Sequence, residues 1–151
     1  MILLCYDGSP SAQHALAVSR ETLGSTPTTL LHVWSAPLEI LADASFGTRS
    51  TSSESLRTTI ERLSLERART IADEGHERAS GLGLAVETRT ERSDTSVWQT
   101  ILDVASETDA DLIVVGTRGA TAVQSLLLGS VSNALVHHSK RPVLLVPSET
   151  E

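Results

Sequence analysis

Residues 111–132 read Asp-Leu-Ile-Val-Val-Gly-Thr-Arg-Gly-Ala-Thr-Ala-Val-Gln-Ser-Leu-Leu-Leu-Gly-Ser-Val-Ser. The run Leu112 to Val115 is apolar without interruption, the pattern of a strand buried on both faces of a parallel sheet. It ends at Gly116, where the chain can turn sharply without a side chain in the way. Gly119 offers a second such point. Gly129 stands directly before Ser130-Val131-Ser132-Asn133, a hydroxyl-rich helix start. The stretch predicts a strand, a glycine-hinged loop and a helix N-terminus gathered around an anion.

The reason is electrostatic. A helix start leaves backbone N–H groups without intrahelical partners, and the helix dipole makes that end positive. Glycines let a phosphate approach the main chain, and Ser130 and Ser132 offer hydroxyl donors. Arg118, between the first two glycines, carries a planar fork of donors that suits a phosphate. Alternatively it pairs with Asp7 and fills the space itself. Each feature taken singly also has a structural reading: Gly116 ends a strand, Gly129 bends a loop, Ser130 caps a helix. Their joint occurrence after a buried strand favours binding, because ligands gather at the C-terminal ends of parallel strands.

Working outward, the chain alternates strand and helix patterns. Ile2 to Tyr6 is a short buried strand followed by Asp7-Gly8-Ser9-Pro10. Ser9 suits a helix N-cap and Pro10 the first helical position. Ala12, Ala15, Leu16, Ser19 and Leu23 recur at helical spacing until Gly24. Thr28 to Trp34 is the second strand, with His32 read as a packed residue rather than a catalyst. Residues 36–54 break the pattern with Pro37, Gly47 and a Ser/Thr-rich run. They are expected to form a loop, read first as a disordered insertion, with a partial lid built on Leu38, Ile40, Leu41 and Phe46 as the alternative. Glu54 to Ala79 is an amphipathic helix with Leu56, Ile60, Leu63, Ile71 and Ala72 on its apolar face. Gly81 and Gly83 end it.

Leu84 to Thr90 is the third strand, and Asp94 the expected cap of a helix burying Val97, Ile101, Val104 and Ala105. The last helix carries Val131, Leu135 and Val136. His137-His138 lies at its C-terminal end and is discounted as a metal pair, since adjacent helical residues diverge by about 100°. Val143 to Val146, between Pro142 and Pro147, is the fifth strand. Five strands alternating with helices imply an α/β fold, a parallel sheet covered on both faces and joined by right-handed crossovers.

Composition bounds the function. The 151 residues suit a single domain, 40% are hydrophobic, and the net charge is −7. An acidic chain of this kind argues against general binding to nucleic acid or anionic membrane. The lone Cys5 makes neither an internal disulfide nor a cysteine-rich metal site. The apolar start stops at Asp7, short of a signal-peptide core, and no run reaches the roughly 20 apolar residues of a membrane span. A cytoplasmic protein is expected.

Gly116, two residues, Gly119, nine residues and Gly129-Ser130 resemble the ATP-binding signature of the universal stress protein family. The resemblance extends to Leu3-Leu4-Cys5-Tyr6-Asp7-Gly8-Ser9 and to Lys140-Arg141-Pro142-Val143-Leu144-Leu145-Val146-Pro147. It implies a Rossmann-like three-layer α/β/α sandwich with strand order 3-2-1-4-5, the crevice lying between strands one and four. It also implies ATP as ligand, accompanied by Mg2+ or Mn2+. Gly116, Arg118, Gly119, Gly129, Ser130 and Ser132 would hold the phosphates, and Val115 and Val131 would line the pocket. Asp7 and the main chain near Val33 would hold the nucleoside, with Asp7 also near any phosphate-bound metal and Tyr6 counted among the nucleotide-binding residues; Asp7 equally reads as an acid placed at a positive helix start. A homodimer through the edge strand Val143–Val146 is implied as well.

Two rivals are weaker. An enzyme on this fold would show a His-x-Gly-His, a Ser-Gly-Gly-x-Asp-Ser or a lysine-bearing phosphate loop, and the sequence has none of these; slow ATP hydrolysis or autophosphorylation stays open. A module that recruits a partner without nucleotide is the other.

Overall fold

The computed structural model describes residues 1–37, 51–119 and 128–149. The expected lid residues Leu38, Ile40, Leu41 and Phe46 lie outside this set. The elements in chain order are β1 (Ile2–Cys5), α1 (Pro10–Leu23), β2 (Thr28–Trp34), α2 (Thr51–Gly81), β3 (Val86–Arg92), α3 (Val97–Glu107), β4 (Leu112–Gly116), α4 (Ser130–His138) and β5 (Val143–Val146). All strand pairs are parallel and the order is β3-β2-β1-β4-β5. The winding reverses between β1 and β4, so the C-terminal ends of these two strands splay apart in connectivity and leave a crevice.

Alternation along β1 sorts its side chains between two cores. Ile2, Leu4 and Tyr6 pack with Ala12, Ala15 and Leu16 of α1 and Ala79 of α2 on one face. Leu3 and Cys5 pack with Ile101, Val104 and Ala105 of α3 and Leu135 of α4 on the other. The central strands are therefore sealed on both sides, which is why their sequences run apolar without a break.

Helix α1 begins as its sequence predicts. The Ser9 Oγ accepts from the Ala12 N–H at 3.2 Å, and Pro10 occupies the first turn. Helix α2 differs from expectation at both ends and in its packing. It starts at Thr51, three residues before the expected Glu54 and within the stretch expected to be a loop. Its 31 residues make a rod of about 46 Å at 1.5 Å per residue, about twice the span of a seven-residue strand. The C-terminal half lies on the sheet and buries Ala68, Ala72, Gly75 and Ala79. The N-terminal half overhangs it, leaving Leu56 and Leu63 47% and 52% exposed. The apolar stripe of α2 is thus only half used.

The same helix closes on Gly83. At φ +71° this glycine lets its own N–H reach the Ser80 carbonyl while the Leu84 N–H reaches that of Ala79, both at 2.9 Å. This is the Schellman pattern. It uses Leu84 as a stop rather than as strand, so β3 runs two residues later than its alternation suggested.

Two smaller expectations are corrected. Asp94 does not cap α3; it pairs with Arg92 at 3.1 Å, and Ser96 takes the N-cap position. Val136 is 48% exposed because it lies one residue round the helix from the buried Leu135. His138 stacks on Trp98 with ring centroids 4.7 Å apart.

Candidate functional site

The first arm of the site is the turn after β1. Gly8 has φ +79°, a conformation that a side chain strongly disfavours. Through it the chain doubles back so that the Asp7 Oδ1 accepts from the Ser9 N–H at 3.0 Å. Tyr6 points away beneath α2. Its hydroxyl donates to Glu74 at 3.2 Å, and its ring lies so close to Gly75 that an added Cβ there would be 2.7 Å from Cδ1. Burial and the Glu74 charge push the phenol up to about 12, so it stays a donor. A glycine in the middle of a helix is thus explained by an aromatic ring from a strand 69 residues earlier.

The second arm is the end of β4. The Thr117 carbonyl accepts from the Gly129 N–H at 2.7 Å and from the Ser132 hydroxyl at 2.8 Å, which brings the start of α4 back to the strand it left. The Arg118 carbonyl accepts from the Ser9 and Ser11 hydroxyls, so the two arms are stitched together across the sheet. They approach closely: a Cβ on Gly119 would stand 3.0 Å from the Asp7 Oδ2. A Cβ on Gly116 would stand 2.4 Å from the Ser11 Oγ and 2.9 Å from the Ala12 main-chain nitrogen.

Between the arms lies a cleft of about 500 Å³, bordered by all eleven residues singled out above: Tyr6, Asp7, Val33, Val115, Gly116, Arg118, Gly119, Gly129, Ser130, Val131 and Ser132. That volume is in the range of small-molecule and cofactor sites. Two of the reasons offered for these residues change. Gly116 must be small in any case, because the first turn of α1 passes against it. The single proton of Ser132 is directed at the Thr117 and Gly129 carbonyls, at 2.8 and 3.0 Å, so this serine holds the helix start in place.

Gly129 is different. Its φ is −69°, which any residue adopts, and among the described residues an added Cβ would meet nothing closer than 3.4 Å. It is the N-cap of α4 yet supplies no side-chain cap. The N–H groups at that helix start lack intrahelical partners by geometry, and the exposed Ser130 stands beside them.

The cleft also takes in residues the sequence did not mark. Ile71 reaches it from α2, Val97 and Ile101 from α3, and Cys5 and His32 from the floor. Nothing local distinguishes these from ordinary core positions. Burial and the nearby Asp7 charge push the Cys5 thiol up to about 12, so it stays protonated. Burial holds His32 below the ordinary histidine range, against the opposing pull of its bond to Tyr6 and of Asp7. The floor is therefore neutral at pH 7, and among the described residues the charged ones on the wall are Asp7 and Arg118.

These features define a doubly wound α/β protein whose crevice opens at the point where the strand order reverses. The sequence model of the universal stress protein family matches residues 1–147. The chain belongs to that family. It is 36% identical over 147 residues to a universal stress protein of Thermus aquaticus, covering 96% of each chain. A Mycolicibacterium smegmatis universal stress protein is 30% identical over 99% of this chain, which spans about half (49%) of that longer relative.

Among solved structures, the fold matches a universal stress protein from Lactobacillus plantarum with a TM-score of 0.71 at 18% identity, covering 96% of this chain and 95% of that one. It matches an Arabidopsis thaliana family protein with AMP bound at 0.65 and 17%, covering 99% and 92%. It also matches an Archaeoglobus fulgidus universal stress protein in complex with dAMP at 0.61 and 19%, covering 96% and 95%.

Proposed function

We propose that this cleft binds an adenine nucleotide, ATP foremost, and that the protein acts as a nucleotide-dependent regulator in the cytoplasmic stress response rather than as a dedicated enzyme. The observation that carries this is Gly129. Among the described residues nothing demands glycine there, and an uncapped helix start lies directly behind it. A glycine that the protein's own packing does not require is explained by a ligand that approaches its main chain. The phosphates lie at the α4 start with Arg118 over them, and the nucleoside extends towards Asp7 and Val33. The AMP and dAMP complexes of two structural neighbours support an adenine nucleotide as the ligand class.

The residues also bear on the metal. Among the described residues no cluster of three His, Cys, Asp or Glu side chains could hold an ion. A Mg2+ or Mn2+ ion would then be carried by the phosphates themselves, with Asp7 as the carboxylate on the wall. It would supply positive charge that a chain of net charge −7 lacks. The chain's own part is to bind and orient: Arg118 and the α4 amides on the phosphates, the apolar Val115 and Val131 against the rest.

The test is thermal. A ligand that binds only the native state raises its stability by about 2.7 kcal/mol at 100 times Kd, a rise of roughly 5–11 °C for a domain of this size. ATP at millimolar concentration with Mg2+ is expected to raise Tm by that order. No shift with ATP, ADP or AMP would instead favour a protein-recruiting module.

We further propose that two copies pair along β5, the edge strand. Its residues Val143, Leu144 and Leu145 are only partly covered within one chain. An apolar edge of this kind invites a partner strand. A monomer by light scattering at micromolar concentration would refute the pairing.

A further inference from the structure

His32 is a buried imidazole at the wall of the cleft that the reading above does not use. It is 6% exposed and borders the cleft beside Val33 and Asp7. Its Nδ1 lies 2.7 Å from the Tyr6 carbonyl oxygen. A carbonyl only accepts, so Nδ1 carries the proton and donates it. That bond extends the β1–β2 pairing one step past the ladder, which ends with the Tyr6 N–H on the Leu31 carbonyl at 2.8 Å. It grips the peptide unit that leads into Asp7.

The tautomer follows. With burial holding the ring neutral, the proton on Nδ1 leaves Nε2 as a bare acceptor. Nε2 makes no hydrogen bond to a described residue. Nor is it one of the sealed, unpartnered polar atoms, which among the described residues are the Ser19 Oγ and the Thr117 Oγ1. We place its opening at the cleft that the ring borders. An acceptor open to a ligand-sized space is met by water while the space is unfilled, so a ligand that fills the space leaves it unsatisfied at a cost unless the ligand supplies a donor.

We propose that the His32 Nε2 accepts a hydrogen bond from an N–H or O–H donor on the nucleoside half of the ligand, and so sets which nucleosides the cleft takes. This rests on the nucleotide reading. Two donors fit that chemistry: the exocyclic amino group of adenine and a ribose hydroxyl. Both are absent from no natural adenine ribonucleotide, so analogues separate them.

The experiment measures the affinity of the full chain for ATP, for ITP, which lacks the amino group, and for 2′-deoxy- and 3′-deoxy-ATP. It does so in the wild type and in two variants. In His32→Asn the amide nitrogen takes the place of Nδ1 and keeps the bond to Tyr6, while the acceptor is lost. In His32→Gln the amide oxygen takes the place of Nε2 and the bond to Tyr6 is lost. For the wild type, one analogue is expected to bind about tenfold more weakly than ATP, the worth of one satisfied acceptor. In His32→Asn that gap should close to within about twofold, with little change in the ligand-free Tm. In His32→Gln the gap should persist although Tm falls.

A gap that is the same in His32→Asn as in the wild type overturns the role of Nε2 while leaving nucleotide binding intact. No gap for any analogue in the wild type does the same. A wild type that binds none of the four compounds overturns the nucleotide reading itself, and this inference with it.

Discussion

Gly129→Glu is expected to weaken ATP binding by at least about 100-fold, or about 2.7 kcal/mol, while leaving the ligand-free protein folded. The physical argument has two halves. Binding suffers because a carboxylate at the start of α4 competes for the same amides and meets the phosphates at close range. Two like charges 4 Å apart repel by about 4 kcal/mol at an effective dielectric of 20. Folding is spared because φ at this position is −69° and, among the described residues, the Cβ has only ordinary contacts, to the Thr117 carbonyl at 3.4 Å and to the Arg118 Cα and Ser132 Oγ at 3.5 Å. An acidic group near a helix N-terminus is itself worth about 0.3–1 kcal/mol in favour of the fold. Calorimetric titration reads the first half and a melt without ligand reads the second. Unchanged affinity would show that the phosphates do not lie at α4; a collapsed melt would show that Gly129 is there for the fold after all.

Gly116→Ala should do the reverse. Its Cβ would fall 2.9 Å from the main-chain carbon of Ser11 and the main-chain nitrogen of Ala12. These atoms belong to the first turn of α1, which is held to the Arg118 carbonyl by Ser9 and Ser11, so they cannot retreat independently. Overpacking of this kind costs about 1–3 kcal/mol, a fall in Tm of roughly 2–12 °C for a domain of this size. The loss should appear with or without nucleotide in the buffer. A melt within one degree of the wild type would mean that α1 can slide away from β4, and that the stitching between the two arms is loose.

The two glycines read alike in the sequence, as members of one spaced motif. Their difference lies in what passes nearby. Gly116 is crowded by residues more than 100 positions away in the chain; Gly129 has space around it among the described residues. The same division runs through the rest of the site. Ser9 and Pro10 were legible because an N-cap and a first-turn proline are local devices, set by neighbours in the chain. His32 was legible only as a packed residue in a strand. Its bond to the Tyr6 carbonyl exists because β1 and β2 lie side by side, and no feature of Leu31-His32-Val33 announces it.

Helix α2 shows the limit from another side. Its periodicity marks a helix correctly, yet Leu56 and Leu63 look as core-forming in sequence as Ala68 and Ala72. Which of them is buried depends on how far the sheet extends beneath the helix, and strand length elsewhere decides that. Asp94 likewise has the right chemistry for a cap, but Arg92 claims its carboxylate and the helix opens later.

By itself the sequence determined the strand and helix succession, the parallel sheet and the neighbourhood of the crevice. These follow from apolar runs, helical spacing and turn chemistry, all of which act between residues close along the chain. Tertiary structure alone decided why Gly75 and Gly116 must be small, where the Ser132 proton goes, and that a histidine bound to the Tyr6 carbonyl lines the cleft. Each of these depends on atoms brought together from distant segments, where the separation in space is set by packing and has no counterpart in the order of residues.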